Sequence, residues 1–259
     1  EEFYWNPEEK FIDEKAFENL DSIIHLSGAN ISERWTESYK KQLFSSRIDS
    51  ANLLKEYCKK RNIYLKSFIS ASGINYYGTF TSDQVLDENS GILKHDFLAK
   101  LCVEWEKAAE DFSEISDRIV CLRTSMVLAK NGGAFPMLKK TVDFNIGSAV
   151  GSGKQWMNWI HVDDLVNMYI FVLQNSELNG KFNAVADEIP TNEMFMKTLA
   201  KVSKKFFLPI NVPSFVMKLA FGEMSSIILE GTRASNEKIK SNGFEFKYDK
   251  VKKAFENLM

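Results

Sequence analysis

The stretch SIIHLSG at residues 22–28 decides the fold of this 259-residue chain. A short apolar run ends there in Ser-Gly, and a long amphipathic pattern follows from about residue 36 to residue 59. Leu43, Leu54 and Cys58 belong to one face of that pattern, and Thr36 is suited to cap its first turn. The stretch is therefore predicted to be a strand that leads directly into a helix.

The same alternation continues along the first half of the chain. Residues 65–70 predict a second strand, which ends in Ala-Ser-Gly at residues 71–73, and residues 118–123 predict a third. Between them lies a helical stripe formed by Phe97, Leu101, Trp105, Ala108 and Phe112. Strands that alternate with helices predict βαβ units, and hence an α/β fold with a parallel sheet covered on both faces.

The second half is less regular, and its pattern favours a smaller α-rich lobe. Residues 163–174 and 191–204 predict helices, and residues 181–186 predict a strand. Further helices are predicted between Pro213 and Gly222 and from Asp249 onwards. Their apolar residues, including Phe206, Phe207 and residues 215–221, are interpreted as core. At the other end of the chain, residues 1–5 predict a strand that runs into Asn6-Pro7.

Composition excludes several classes of protein. The 33 basic and 35 acidic side chains give a formal charge of −2, which argues against a broadly basic nucleic-acid binder. No apolar run reaches the length of about 18 residues that a membrane helix needs. The three cysteines form no CxxC motif and only three histidines are present, so neither a disulfide framework nor a metal site is expected. We expect a cytoplasmic protein without membrane or nucleic-acid partners.

Small residues follow each predicted strand of the first half, at 27–29, 71–73 and 124–125. In parallel sheets, ligands bind beyond the carboxyl ends of the strands, and small residues let a ligand approach the backbone. Small residues also suit tight turns that bind nothing. Three successive turns of this kind favour a site.

The segment SASGINYYG at residues 70–78 contains the hydroxyl groups best placed for chemistry. Ser72 could hydrogen-bond a substrate oxygen, and Tyr76 or Tyr77 could act as a general acid if a cation lowers its pKa. The alternative interpretation is that the tyrosines are packing residues and that the serine caps a turn.

Two further groups of polar residues each allow two interpretations. His161 beside Asp163 could form a proton relay, but a helix-capping Asp and a hydrogen-bonded structural His fit the alternating directions better. Arg34 and Arg47 could bind phosphates, or they could lie on a solvated helix face. A serine-hydrolase site is not indicated, since no GxSxG elbow occurs.

Several segments together resemble one family. They are LSGA at 26–29, RWT at 34–36, SRI at 46–48, WEKAA at 105–109, GSGKQ at 151–155, WIHVDDL at 159–165 and GFEF at 243–246. In this combination and order the chain resembles the extended short-chain dehydrogenase/reductase superfamily. The match is to its atypical branch of epimerase family 39U-like proteins, which belong to the NAD-dependent epimerase/dehydratase superfamily and have a C-terminal domain of the DUF1731 type.

The resemblance implies a Rossmann-like doubly wound domain that binds NADP(H). That domain would comprise residues 1–130, with 160–204 returning to it, and residues 131–159 and 205–259 would form a C-terminal substrate lobe. The cofactor would be bound by Leu26, Ser27, Gly28, Gln42, Arg47 and Val127. Ser72 would be the catalytic serine, with Tyr76 and Tyr77 as candidate proton donors. A small-molecule or nucleotide-sugar substrate and a homodimer are implied as well.

The chain departs from the superfamily pattern in two places. The glycine-rich fingerprint GxxGxxG is not found, and it belongs on a first strand–helix turn that would precede Glu1, so about 50 residues are expected to be absent. The catalytic Tyr-x-x-x-Lys pair is replaced by Phe97 and Leu101. A phenyl ring cannot donate a proton, and a leucine cannot lower the pKa of a phenol.

Three functions follow from these observations. The leading hypothesis is an NADP(H)-dependent oxidoreductase or nucleotide-sugar epimerase-like enzyme that acts on a carbonyl or hydroxyl group. The second is a non-catalytic NADP(H)-binding regulatory or redox-sensing protein, which Phe97 and Leu101 favour. The third is an interaction domain that binds no cofactor.

Overall fold

The structure, a computed structural model, describes residues 1–259. Its strands are β1 (Trp5–Asn6), β2 (Phe11–Ile12), β3 (Ser22–His25), β4 (Ser67–Gly73), β5 (Val85–Leu86), β6 (Ile119–Thr124), β7 (Met126–Ala129), β8 (Gly132–Gly133), β9 (Trp159–His161), β10 (Gly180–Ala184) and β11 (Arg233–Ala234). Its α-helices are α1 (Glu37–Lys60), α2 (Phe97–Glu110), α3 (Phe135–Asp143), α4 (Val162–Gln174), α5 (Asn192–Val202), α6 (Ser214–Phe221), α7 (Ser225–Leu229), α8 (Glu237–Ser241) and α9 (Val251–Leu258).

The central sheet has four parallel strands in the order β3-β4-β6-β10. Helices α1 and α2 cover one face, where Phe68 of β4 lies among Ala51, Cys58 and Phe112. Helix α4 covers the other face with Met168 and other apolar residues. The predicted α/β fold with a parallel sheet buried on both faces is confirmed.

The helix ends of the first half are set by local side-chain chemistry. The Thr36 hydroxyl accepts a hydrogen bond from the Tyr39 amide (3.2 Å), so α1 begins where the sequence predicts. Asp96 caps α2 by accepting from Ala99 (3.0 Å), and its other carboxylate oxygen accepts from the Thr79 amide (2.7 Å). Asp96 therefore also fixes the loop that follows β4.

The N-terminal strand is shorter than predicted. Residues 1–4 are not part of a strand, and Trp5–Asn6 pairs antiparallel with Phe11–Ile12. The strand ends at Asn6-Pro7 as predicted, and the turn there joins the two strands of a small hairpin.

The C-terminal part has a separate apolar core around Phe135 of α3, Phe195 of α5 and Phe255 of α9. A three-stranded sheet in the order β8-β7-β9 lies beside it. The interpretation as core is wrong for Phe206 and for most of residues 215–221, whereas Phe207 and Phe221 are half-buried against buried apolar clusters. Phe206 is exposed, and α6 contains no buried residue, because this helix contacts chiefly the following 222–229 segment. None of the helices has the length and apolar content required to cross a bilayer.

Candidate functional site

Three strand ends meet at one edge of the central sheet. His25 of β3 is in register with Ser70 of β4, and Gly73 of β4 is in register with Thr124 of β6. The loops that follow the strands therefore lie side by side. This edge brings together residues 26–29, 71–78 and 124–127, as the three small-residue turns predicted.

The turn between β3 and α1 is held by side chains of α1. The Ser27 hydroxyl donates to the Ser46 carbonyl (3.0 Å), and the Ala29 amide donates to the Ser46 hydroxyl (2.8 Å). Arg47 donates to the Ala29 carbonyl (3.1 Å) and is buried. A Cβ atom at Gly28 would lie 2.8 Å from the Arg47 guanidinium carbon, so a side chain here would require the guanidinium to shift.

Arg47 is thus not on a solvated helix face, whereas Arg34 is exposed. The guanidinium of Arg47 lies 4.8 Å from the centre of the Trp105 ring. Burial lowers the pKa of Arg47, against smaller opposing effects of Cys102 and Tyr39.

Three buried polar atoms near this turn have no hydrogen-bond partner in the protein. They are Arg47 Nε, Trp105 Nε1 and His25 Nδ1. The His25 Nε2 atom lies 2.9 Å from the Ser50 hydroxyl, and the ring stacks on Phe68. Burial and the Arg47 charge lower the pKa of His25 to about 4, so the ring is neutral at pH 7. Unpartnered buried donors and acceptors are rare in native proteins, and a polar ligand is one explanation for them.

A buried ionic network lies beneath the second turn. Arg123 of β6 donates to both carboxylate oxygens of Glu106, at 2.7 and 2.9 Å. The Ser72 hydroxyl donates to the same carboxylate (2.8 Å), and Arg123 donates to the Tyr77 hydroxyl (3.1 Å). Tyr77 in turn donates to Asn183 Oδ1 (2.8 Å). Each of these five side chains is buried.

The three candidate catalytic residues therefore have different environments. The hydroxyl groups of Ser72 and Tyr77 are enclosed and already hydrogen-bonded inside the protein. Burial, against the opposing effect of Arg123, raises the pKa of Tyr77 to about 12. Tyr76 is only half-buried, and its ring lies 3.5 Å from the Arg123 guanidinium carbon. Of the three, Tyr76 is the residue that a ligand could reach.

The remaining cofactor-binding candidates are distributed around the same edge. Leu26 is exposed just beyond β3, and Gln42 is exposed on α1. Val127 of β7 is half-buried and packs against the core beneath the sheet edge. The roles assigned to Leu26, Ser27, Gly28, Gln42, Arg47 and Val127 stay predictions.

The positions that correspond to the superfamily Tyr and Lys are packed in an apolar cluster. Phe97 lies 5.0 Å from Trp35 and 5.9 Å from Phe44, measured between ring centres. Leu101 is buried in the same cluster, and Met224 joins it from the C-terminal part. We call this set, with Leu43 and Leu98, the Met224 cluster. No proton donor occupies these two positions.

His161 is a hydrogen-bonded structural residue, as expected, but the expected helix-capping Asp is wrong because His161 itself is the cap of α4. Its Nδ1 atom accepts from the Asp163 amide (3.0 Å) and caps α4, while Nε2 lies 3.1 Å from Asn257 Oδ1. The ring stacks on Tyr248 at 3.8 Å. Burial lowers the pKa of His161, so the neutral ring that this hydrogen-bond pattern requires is favoured.

Sequence reasoning missed two pairs of residues. Glu106 and Arg123 are the charged centre of the buried network; the signal in the sequence was an arginine that ends the apolar run IVCLR.

The second pair is Arg233 and Trp156, whose guanidinium carbon and ring centre are 4.5 Å apart. The Arg233 Nε atom is buried without a partner. A Cβ at neighbouring Gly231 would lie 1.9 Å from the Trp156 carbonyl oxygen, a close approach that no local pattern reveals.

Comparison with known protein families shows the family to which this chain belongs. A family model described as the NAD dependent epimerase/dehydratase family matches residues 8–185, more than half of the chain. The chain belongs to this family. A second model, the domain of unknown function DUF1731, matches residues 212–258 of this epimerase-family chain.

Named relatives agree with that assignment. The epimerase family protein SSP1921 of Staphylococcus saprophyticus is 36% identical over 253 residues, which are 95% of this chain and 82% of that protein. The epimerase family protein SAR0825 of Staphylococcus aureus is 36% identical over 249 residues, 95% of this chain and 81% of that protein.

Solved structures of similar fold include one with a reduced cofactor. Human epimerase family protein SDR39U1, solved with NADPH, has a TM-score of 0.86 and 27% identity over 93% of this chain and 82% of its own. UDP-glucuronic acid 4-epimerase from Bacillus cereus, solved with UDP-glucuronic acid and NAD, has a TM-score of 0.75 at 17% identity, over 95% of this chain and 77% of its own. The latter likeness shows the fold alone. Together the matches confirm the resemblance to extended, 39U-like members and a Rossmann-like fold.

Proposed function

We propose that this epimerase-family chain binds NADP(H) at the edge formed by the ends of β3, β4 and β6. The similarity to human SDR39U1, which was solved with NADPH, supports this proposal. Gly28 is exposed in the first turn, and the unpartnered buried atoms of Arg47, Trp105 and His25 lie near that turn. A bound nicotinamide would supply or accept a hydride.

The residues at this edge are suited to bind the nicotinamide half of the cofactor. A diphosphate is usually bound by a glycine-rich turn at a helix N-terminus. No such turn is found among residues 1–259. The residues that would hold the cofactor here are Leu26, Ser27 and Gly28 in the first turn, Gln42 and Arg47 on α1, and Val127 beyond β6.

We further propose that this chain uses NADP(H) as a regulatory or redox-sensing ligand rather than as a substrate of steady turnover. The observation that carries this is the Met224 cluster, which fills the positions of the usual proton-transfer pair with Phe97 and Leu101. General acid catalysis needs a donor within hydrogen-bond reach of the reacting oxygen. Ser72 and Tyr77 do not offer one, because both hydroxyls are enclosed.

A second candidate function is an NADP(H)-dependent oxidoreductase or epimerase that uses Tyr76 as its proton donor. The half-buried Tyr76 ring, with the Arg123 guanidinium 3.5 Å away, favours it. The substrate would then be a small molecule or a nucleotide sugar that carries a carbonyl or hydroxyl group.

Thermal unfolding of the natural full-length protein tests cofactor binding. A ligand that binds only the native state at about 100 times its Kd stabilises that state by about 2.7 kcal/mol. We expect NADPH to raise the unfolding midpoint by several degrees, and NADH to raise it less. If neither nucleotide changes the midpoint, both candidate functions are overturned and the interaction domain without cofactor remains.

A substrate screen separates the two candidates. The full-length protein is incubated with NADPH or NADP and a set of carbonyl compounds and sugar nucleotides, and absorbance at the reduced nicotinamide band is followed. We expect no turnover. Turnover that is lost in a Tyr76→Phe variant with an unchanged NADPH-induced midpoint shift would establish the oxidoreductase instead.

A further inference from the structure

The surface that the apolar C-terminal residues form is the least expected feature of the molecule. Six large apolar side chains are between 59% and 82% exposed: Phe144, Ile146, Phe206, Ile210, Phe215 and Leu219. All six belong to residues 144–219. Scattered exposed apolar residues are normal, whereas a contiguous group marks an interaction surface.

Backbone hydrogen bonds bring the segments of Phe144, Ile146, Phe206 and Ile210 together, and Phe215 and Leu219 follow in α6. The Leu208 amide donates to the Gly147 carbonyl (2.9 Å), and the Val212 amide donates to the Ala149 carbonyl (2.8 Å). The Phe206 amide donates to the Asn145 side chain (3.4 Å). Residues 145–151 and 206–212 therefore run side by side, and α6 begins two residues later. We call residues 144–146, 204–210 and α6 the lysine–apolar surface.

Helix α6 presents an apolar face outward. Phe215 and Leu219 are four residues apart, so they lie on one face of the helix. Met217 and Phe221 are half-buried on the side that faces the protein. The helix has a free apolar face that no other part of the chain covers.

The segment that supplies most of this surface is rich in lysine, with Asp143, Glu193 and Glu223 as acidic neighbours at its borders. Between Glu193 and Glu223, residues 194–222 contain five lysines and no acidic side chain. That segment has a formal charge of +5, while the whole chain is −2. The lysines are Lys197, Lys201, Lys204, Lys205 and Lys218, and of these only Lys197 has an acidic partner, Glu193.

We propose that the lysine–apolar surface docks on an anionic lipid membrane. Apolar side chains on a surface helix insert at the boundary between headgroups and acyl chains, and lysines beside them are attracted to anionic headgroups. A second copy of this chain fits less well, because each copy would bring the same positive charge to the contact. This proposal differs from the expectation that no membrane is a partner, which stays a prediction, and it does not depend on NADP(H) binding.

Vesicle flotation with the full-length protein tests the proposal. The vesicles contain either phosphatidylcholine alone or phosphatidylcholine and phosphatidylserine in a two-to-one ratio. We expect binding to the phosphatidylserine vesicles only, and weaker binding at high salt. Absence of binding to both kinds of vesicle overturns the proposal.

Matched variants locate the contact. Phe215→Ser with Leu219→Ser is expected to reduce vesicle binding at least tenfold, and Lys204→Gln with Lys205→Gln severalfold. Tyr64→Ser and Lys60→Gln are controls, because both residues are exposed on the α1 side of the molecule and should leave binding unchanged. The far-UV circular dichroism and unfolding midpoint of every variant are compared with those of the wild type.

Two results would assign the surface differently. If the Phe215 and Leu219 variant still binds vesicles like the wild type, the lysine–apolar surface is not the membrane contact. If sedimentation velocity shows a dimer that this variant loses, while vesicles are not bound, the surface belongs to a second copy of the chain. Either result overturns the proposal.

Discussion

Glu106 and Arg123 form a fully enclosed ion pair on which the second turn of the candidate site rests. Removing one member of a buried pair leaves an uncompensated charge and costs about 3–5 kcal/mol. We expect Glu106→Gln to lower the free energy of unfolding by about 3 kcal/mol, as measured by urea denaturation. The Ser72 hydroxyl and the Arg123 guanidinium, which both donate to Glu106, would lose their charged acceptor as well.

The matched control is Glu110→Gln on the same helix. Glu110 also pairs with a cation, Lys181, but it is exposed to solvent. Pairs of this kind contribute about 0–1 kcal/mol. Equal losses in the two variants would mean that the buried network does not have the special role that its enclosure indicates.

His25 gives the folded protein a pH dependence. Its pKa is lowered by burial from 6.5 to about 4, so between these values the unfolded chain binds more protons than the folded one. The free energy of unfolding therefore rises with pH across this window. The contribution of the neutral His25 ring is fully present above pH 6.5 and is lost as the pH falls towards 4. Between pH 7 and pH 5 we expect a loss of about 2 kcal/mol from this group.

The measurement compares unfolding free energies at several pH values in the wild type, His25→Gln and His95→Gln. His95 is exposed. We expect His25→Gln to flatten the pH dependence and His95→Gln to leave it unchanged. An unaltered slope in His25→Gln would show that another group is responsible.

At the scale of elements, local patterns predicted most of the first half. Thr36 caps α1 and the stripe from Phe97 marks α2, because caps and helical periodicity depend only on nearby residues. Whether an apolar helix is covered depends on the rest of the chain. Phe215 and Leu219 have the residue types of a core, yet nothing packs on them.

For the candidate site too, local sequence patterns predicted the location of residues but not their contacts with distant parts of the chain. The segment at residues 70–78 indicated hydroxyls at a strand end, and that location is correct. Successive side chains of β4 point to opposite faces of the sheet, and Ser72 points to the face where Glu106 of α2 lies. Glu106 and Arg123 are 17 residues apart, and their pairing follows from the packing of α2 on β6.

Asp164 connects α4 to the C-terminal segment. Its two carboxylate oxygens accept from the amides of Lys247 and Tyr248, both at 2.9 Å, and the side chain is buried. We expect Asp164→Ala to increase amide hydrogen exchange at these two residues more than tenfold, because both donors would lose their acceptor. Glu177→Ala, at an exposed position just beyond α4, should change their exchange little, and equal effects would contradict the assigned role.

At the scale of the whole molecule, the Met224 cluster joins the helices that cover the central sheet to the segment between α6 and α7. Met224 comes from the segment between α6 and α7, and it packs against Leu43 of α1 and Leu101 of α2. Lys40 of α1 pairs with the adjacent Glu223 at 2.5 Å. Phe97 and Leu101, which occupy the positions of the proton-transfer pair, therefore belong to the cluster that connects these two segments of the chain.

We expect Met224→Ala to lower the unfolding free energy by about 2–4 kcal/mol, because truncating a buried methionine leaves a cavity. The chain has five tryptophans, among them Trp35 in the cluster and Trp159 in the C-terminal core. Fluorescence and far-UV circular dichroism should therefore follow the same single transition in urea for the wild type. The exposed Met137→Ala is the control, and it should cost less than about 0.5 kcal/mol. If Met224→Ala instead leaves the main transition unchanged, the two parts fold independently and the cluster is only a surface contact.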